Sequence, residues 1–261
     1  FNWRVIPDGW LFNLSRWHIG DGDQPHATLV VRQRGGNEPS LEIATNRIEL
    51  DMLGQIAAAS NALSTEQRDA VLGLRLRGHL NEAYLRVQKN SHKEAFFLTT
   101  QFSNLGFQAW RRVPGASGLE GSLELDTQAA RLQLNSKNVR LDVPGVFRKS
   151  LSFDILTGDV VARHGEHGEE GWNGWSDRCE AGNRDIQTDG SFQLKIPNQG
   201  SPELDLAANF RNGRAAATSH YLPAGVMPPA AVAWLDRAIV DGSVPAGGVI
   251  FRGPLDQFPF R

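Results

Sequence analysis

The sequence predicts a mainly β protein, built as a long antiparallel sheet with two or three short helices. Apolar and polar residues alternate in many short segments, turn-forming residues separate several of them, and helical periodicity is confined to brief stretches. Because successive side chains of a strand point to opposite faces, each alternating segment has one apolar and one polar face. The clearest alternation lies in residues 74–77, 119–125, 131–135, 139–143, 192–196 and 204–208.

Turn-forming residues punctuate these segments, because Gly, Pro, Asn and Asp supply the positive or fixed φ angles that tight turns need. They lie at residues 144–145, 157–159, 189–190, 197–200 and 211–213. Short strands joined by tight turns indicate antiparallel meanders. Residues 163–184 are rich in Gly, Glu and His, and we expect a long hairpin loop or an irregular sheet edge there.

Three segments are predicted as short helices, at about 51–59, 65–72 and 229–241. Ser64 and Gln67 have the spacing of a capping box, which favours a helix start at this point. Pro228 and Pro229 suit the first turn of the third helix, and Gly242 suits its end. This helix has an apolar stripe, which predicts that its Trp is buried. The stripe consists of Ala231, Trp234, Leu235, Ala238 and Ile239.

The composition excludes several classes of protein. The 261 residues carry 27 Lys and Arg against 29 Asp and Glu, a formal charge of −2, so no general electrostatic attraction to nucleic acid is expected. No apolar run is long enough for a membrane-spanning helix. Cys179 is the single cysteine, which excludes an intramolecular disulfide. We expect residues 1–261 to form a single segment of a larger protein.

Chemistry-bearing motifs are few. One stretch has the imidazole and carboxylate donors that zinc or another divalent ion prefers, namely His164, Glu166, His167, Glu169 and Glu170. A Gly-rich stretch does not aim these donors, so a solvated loop is the preferred interpretation, and neither a metal nor a cofactor is predicted. No nucleophile elbow and no phosphate-binding loop is present. We therefore predict that the chain is not an enzyme.

Trp172 and Trp175 leave a second function open. Their flat rings could form a platform for sugar faces, as in a carbohydrate- or peptidoglycan-binding β-module, although packing between strands is the favoured interpretation. That alternative predicts a closed β-sandwich with aromatic rings in a polar cleft. A third possibility is a structural spacer whose apolar face is filled by its own side chains.

The predicted strands also need something to cover their apolar face. Two or three short helices are too few to cover the apolar face of a sheet with so many strands. Either the sheet closes on itself as a sandwich or barrel, or it curls into an open groove. An open groove exposes an apolar strip larger than monomers tolerate without a purpose, and an acyl chain is its natural occupant.

The C-terminal third contains an ordered series of short motifs: Tyr221-Leu222-Pro223, Trp234-Leu235-Asp236-Arg237-Ala238, Gly242, Gly247-Gly248, Gly253 and Phe258-Pro259-Phe260. This series resembles the YhdP family of AsmA-like proteins. Further pieces with the family's pattern lie upstream at 76–80, 114–121, 144–151 and 202–206. Their common order along the chain carries the resemblance, since each piece alone is short.

The resemblance implies a repeating β-groove, a long twisted antiparallel sheet curled into a U with an apolar inner surface. It implies a periplasmic segment that shields phospholipid acyl chains between the inner and outer membranes. A helix outside this segment would tether it to the inner membrane, and membranes would lie at the ends of the full-length protein. Open sheet edges also predict an artificial edge-to-edge dimer of the segment.

Strand parity then predicts which side chains line the groove. They are Leu119, Leu123, Leu125, Leu132, Leu134, Val139, Leu141, Val143, Leu194, Ile196, Leu204, Leu206, Val249 and Phe251. A one-residue slip would turn any of these strands over. The helix carrying Trp234 is expected to cap or gate one end of the sheet.

Overall fold

The structure is a computed structural model, and it describes residues 1–15, 27–52, 54, 64–89, 94–111, 113–165 and 171–257. Within these residues thirteen strands follow one another along the chain and form one sheet in the same order. The strands are β1 Asn2–Ile6, β2 Gly9–Ser15, β3 Thr28–Arg34, β4 Ser40–Glu49, β5 Arg77–Lys89, β6 Glu94–Phe107, β7 Gly115–Asp126, β8 Ala129–Asp142, β9 Leu151–His164, β10 Gly171–Gly182, β11 Gln187–Pro197, β12 Glu203–Arg214 and β13 Ser243–Pro254.

Every strand pairs antiparallel with its neighbours in sequence, and β1 and β13 remain open edges of the described sheet. The chain exposes 17134 Å², whereas a compact monomer of this mass exposes about 11,000 Å². Such an excess fits a curled open sheet and not two sheets closed on each other. The closed sandwich, the alternative predicted from the sequence, is therefore wrong.

The central strands bend near their midpoints, where β-bulges interrupt the pairing. Register shifts occur in the strand pairs β5–β6, β6–β7, β7–β8, β9–β10 and β10–β11. Glu82, Asn104 and Asn138 have positive φ angles within their strands, as does Gly118, whose backbone lies against the carbonyl of Asn138. Since bulges bend and twist a strand, they bend the central strands, and we call this bulged band of the sheet the crease.

Buried hydroxyl groups satisfy backbone atoms that the bulges leave unpaired. Ser136 Oγ accepts a hydrogen bond from the N–H of Glu120 at 2.9 Å and donates to its carbonyl at 3.0 Å. Thr100 Oγ1 lies 3.1 Å from the carbonyl of Asn81, beside another register shift. An unpaired buried backbone group costs about 1–3 kcal/mol, so these hydroxyls stabilise the crease.

The strand connections differ between the two ends of the sheet. At one end, which we call the short-turn rim, they span 7–8, 35–39, 90–93, 127–128, 165–170 and 198–202. At the other end, the helix-bearing rim, they span 16–27, 50–76, 108–114, 143–150, 183–186 and 215–242. The helices α1 Thr65–Leu74, α2 Thr218–Tyr221 and α3 Pro229–Ala238 all lie on this second rim, as does a 3₁₀ turn at Ala215–Ala217.

The helix predictions are confirmed in outline. Ser64 and Gln67 form the reciprocal capping box, with bonds of 3.2 and 2.9 Å. Helix α3 has Pro at its start but ends at Ala238, because Ile239 leaves the helical conformation. Residues 50–52 and 54 are helical, and the rest of the predicted 51–59 helix lies outside the described residues.

Several local predictions are wrong. Residues 74–76 do not form a strand, since α1 continues to Leu74 and Arg75 caps it in the left-handed conformation, and β5 begins only at Arg77. The turn signals at 157–159, 189–190 and 211–213 lie inside β9, β11 and β12. A Cβ on Gly158 would overlap Cys179 Sγ of β10, so this glycine permits close approach of a neighbouring strand and not a turn.

The predicted irregular stretch is also mostly regular. Described residues 163–164 close β9, and 171–182 form β10. The many glycines disguised the alternation there, because Gly gives no hydrophobic signal to either face. The carboxylates and imidazole at 166–170 lie outside the described residues.

Candidate functional site

The pairing register collects the apolar side chains on one face of the sheet. Residues directly opposite each other on antiparallel strands project to the same side. Leu123 faces Leu132, which in turn faces Val160. Near the other edge, Leu206 faces Phe251. We call this continuous apolar surface the inner face.

All of the groove residues predicted from the sequence that lie in strands fall on the inner face. On β7 and β8 they are Leu119, Leu123, Leu125, Leu132, Leu134, Val139 and Leu141, and on β11 to β13 they are Leu194, Ile196, Leu204, Leu206, Val249 and Phe251. Val143 lies beyond the end of β8, in the connection to β9. The bulge at Asn138 explains why parity changes between Leu134 and Val139.

Sequence reasoning missed a large part of the inner face. Phe102 of β6, with 4% of its surface exposed, is the largest side chain of the central buried cluster, whose other members are Ala116, Leu119 and Val139. Leu80, Leu105, Phe107 and Leu156 pack against that cluster. The available signal was the spacing Phe96, Leu98, Thr100, Phe102, then Leu105 and Phe107, a two-residue period with one slip.

Burial on the inner face decreases from the crease toward the margins. Val139, next to the bulge of β8, is 1% exposed, whereas Ile196 at the end of β11 is 44% exposed. Val249 of β13 is 53% exposed, and Trp3 and Val5 of β1 are more open still. The centre of the inner face is thus filled by its own side chains, while an apolar strip toward the margins stays accessible.

The opposite, outer face is polar and carries ion pairs between neighbouring strands. Arg131 pairs with Asp159, Arg211 with Asp189 at 3.1 Å and Arg252 with Asp205 at 2.7 Å. The hydrogen bond from Arg131 holds the pKa of Asp159 below its ordinary value. These charged side chains keep the outer face hydrated.

The two tryptophans that suggested a sugar platform lie on opposite faces of β10. Trp172 faces His164 and Ile196 on the inner face, and its ring makes an edge contact with His164 at 5.5 Å between centroids. Trp175 lies on the outer face, where Arg163 is 5.9 Å from its ring centroid. No regular strand lets residues three apart share a face, so the pair cannot form one platform.

Trp234 is 62% exposed and the prediction that it is buried is wrong. The half-buried side of α3 carries Ala231, Val232 and Leu235, which leaves Trp234 on the opposite side. A helix docked on a sheet rim has only one narrow stripe in contact, so helical spacing alone does not decide which apolar residues it buries.

The described residues offer an extended apolar surface along one face of the sheet. Three or more His, Cys, Asp or Glu side chains placed to hold a metal ion do not occur among them. None of the helices in the described parts of the chain has the length and hydropathy to cross a membrane. Such a surface can take up hydrocarbon, at about 0.8 kcal/mol for each methylene group moved out of water.

Comparison with known proteins agrees with this arrangement. The family described as "YhdP protein" matches residues 1–261. The chain is similar to the intermembrane phospholipid transporter YhdP of Escherichia coli (strain K12), with 21% identity over 267 residues. That match includes 97% of this chain and only 20% of the relative's length. No solved structure matches.

Proposed function

Because this chain belongs to the YhdP protein family, we propose that its inner face shields phospholipid acyl chains during transport between the inner and outer membranes. In this proposal the segment lies in the periplasm, within a longer protein that another segment anchors to the inner membrane. The name of the E. coli relative, an intermembrane phospholipid transporter, supports phospholipid as the cargo.

One observation carries the proposal: the apolar side chains of thirteen consecutive strands share one face that no second layer covers in the described structure. A globular protein covers such a face with helices or another sheet. Here the crease seals the floor, and the strand halves on either side form two walls. Acyl chains between these walls would replace water, while headgroups stay at the rims.

The transport itself needs no chemical step in this proposal. Many similar leucine and valine contacts in a row allow a lipid to slide, because no single contact holds it strongly. We therefore assign the segment a binding role without catalysis.

The test is native mass spectrometry with lipid extraction on the purified 261-residue chain, free of detergent. We expect phospholipid to co-purify with the wild type and to be largely lost in the double variant Leu134→Asp, Leu141→Asp, since charge on both walls repels hydrocarbon. The matched control, Asn135→Asp with Asn173→Asp, puts the same two charges on the outer face and should retain lipid. Circular dichroism spectra of the variants should match that of the wild type, which would show that each variant keeps its strands.

A wild-type chain that is folded, monomeric and free of lipid, and that also fails to take up added phospholipid, would contradict the proposal. The structural spacer would then be the better interpretation, because the buried cluster at Phe102 and Val139 shows that side chains already fill the floor of the groove.

A further inference from the structure

A polar cavity of about 340 Å³ lies at the helix-bearing rim, where three connections meet. Its walls come from the start of β9, the β10–β11 turn and α2. The lining residues are Lys149, Ser150, Leu151, Ser152, Asp154, Asn183, Arg184, Asp185, His220 and Tyr221. Leu151 and Phe153 face Leu141 and Val139 on the inner face, so Ser152 and Asp154, which alternate with them, lie on the outer side of β9. The cavity therefore lies where the outer side of β9 meets the rim.

One side chain ties the cavity walls together. Asn183 Nδ2 donates to the Ser152 carbonyl at 2.6 Å and to the Tyr221 hydroxyl at 2.8 Å. Asn183 Oδ1 accepts the backbone N–H groups of Asp185 and Ile186 at 2.9 and 3.1 Å. The Tyr221 hydroxyl and the backbone of the β10–β11 turn are thus held in place before any ligand arrives, which lowers the cost of binding.

The Tyr221 hydroxyl remains a donor under ordinary conditions. Burial is the main cause that raises the pKa of Tyr221, so the phenol keeps its proton at neutral pH. Its oxygen already accepts the bond from Asn183. The phenolic proton is therefore available to an anionic group in the cavity.

The charged groups of the cavity divide into paired and available ones. Asp185 is held by Arg214 at 2.9 Å and by Arg184 at 3.7 Å. Within the described parts of the chain, Asp154, Lys149 and His220 make no such ion pair. The cavity thus offers a free carboxylate together with a free ammonium group and an imidazole, a combination that suits a ligand with charges of both signs.

We propose that this cavity binds the zwitterionic headgroup of a phospholipid at the helix-bearing rim. The phosphate would meet Lys149, His220 and the Tyr221 hydroxyl, and the headgroup ammonium would meet Asp154. The volume equals roughly eleven water molecules at about 30 Å³ each, which is ample for such a group. This inference rests on the proposed lipid cargo and adds a preference for one headgroup class.

The experiment titrates the 261-residue chain with soluble headgroup fragments and follows its amide signals by NMR. The probes are glycerophosphoethanolamine, which is zwitterionic, glycerophosphoglycerol, which is anionic, and inorganic phosphate. We expect glycerophosphoethanolamine to shift the signals around Lys149, Asp154 and Tyr221 and to bind about tenfold more tightly than glycerophosphoglycerol. A single charge-assisted contact accounts for a factor of that order.

Two conservative variants test which residues cause the preference for the zwitterionic headgroup. Asp154→Asn should reduce the tenfold preference to about one, and Lys149→Gln should weaken both glycerophosphodiesters alike. The matched controls are Asp69→Asn on α1 and Lys195→Gln on the outer face of β11, and both should bind as the wild type does.

Equal binding of the two glycerophosphodiesters would overturn the inference, as would a preference that survives Asp154→Asn, or inorganic phosphate binding as tightly as glycerophosphoethanolamine. Long-chain lipid that co-purifies while no fragment binds would overturn the headgroup site and leave the lipid cargo standing. Fragments that bind to a chain that neither co-purifies with phospholipid nor takes up added phospholipid would support the headgroup site and contradict the cargo.

Discussion

The two rims of the sheet are built by different kinds of contact. At the short-turn rim, the β7–β8 turn is closed by Asp126, whose Oδ1 accepts the N–H groups of Gln128 and Ala129 at 2.6 and 2.8 Å. At the helix-bearing rim, Arg148 reaches Asp236, 88 residues away, with Nη2 at 2.8 and 3.0 Å from its two carboxylate oxygens. Local turn chemistry forms the first rim, and long-range docking forms the second.

The 215–242 connection shows what the docking adds. It leaves the sheet between β12 and β13, closes at its base with Ala215 N–H bonded to the Gly242 carbonyl, and reaches the β8–β9 connection. There the N–H of Gly225 donates to the Val146 carbonyl at 2.9 Å. This connection therefore ties hairpins that are not neighbours in the sheet. It does so without placing Trp234 against the sheet, so a capping role of the helix stays a prediction.

The largest effect on the free energy of unfolding is expected from a substitution at the crease, because the strand halves that lead to the two rims meet there. Phe102→Ala removes the largest side chain of the central cluster and should lower the free energy of unfolding by about 3–5 kcal/mol. Hydrogen exchange should then accelerate at both rims, because the crease joins the two walls. Phe97→Ala is the matched control, since Phe97 lies on the outer face of the same strand and is 41% exposed. A similar loss for the two variants would contradict the assignment of the crease as the core.

A smaller loss of stability should be confined to the helix-bearing rim. Asp236→Asn removes the ion pair with Arg148, and a pair this exposed contributes about 0.5–1 kcal/mol. Exchange of the Gly225 amide should speed up about two- to fivefold, while amides of the β7–β8 turn stay unchanged. Asp205→Asn, which breaks a pair between adjacent strands, should leave Gly225 unaffected. Acceleration at both rims would mean that the docking supports the whole sheet.

The smallest effect concerns the outer face near the short-turn rim. In Arg131→Gln, Asp159 loses the hydrogen bond that lowers its pKa, so its pKa should rise toward the ordinary value of about 4. The pair contributes stability above that pH and loses it as the pH falls through the lowered pKa, so the variant's deficit should vanish in acid. Carboxyl NMR titration measures the shift, with Lys137→Gln as the control. An unchanged Asp159 pKa would show that the pair does not persist in solution.

The inner face could be predicted from sequence because its signal is local. Leu132 and Leu134, or Leu204 and Leu206, need only the two-residue period of a strand to share a face. The inner residues of β6 escaped prediction, since the bulge at Asn104 shifts the period within the strand. The polar cavity at the helix-bearing rim escaped as well, because Lys149, Asn183 and Tyr221 come from three separate connections and no spacing links them.

The sequence by itself determined the antiparallel strands, the apolar side of most of them, the capping box at Ser64 and the start of α3. These features depend on residues a few positions apart, so hydrophobic periodicity and turn-forming residues are enough to predict them. The tertiary structure decided that Gly158 lies within a strand, that Trp234 is exposed and that Trp172 and Trp175 lie on opposite faces. It also decided the crease, because a bulge is stable only where a group from another strand, such as the Ser136 hydroxyl, satisfies the backbone that it frees.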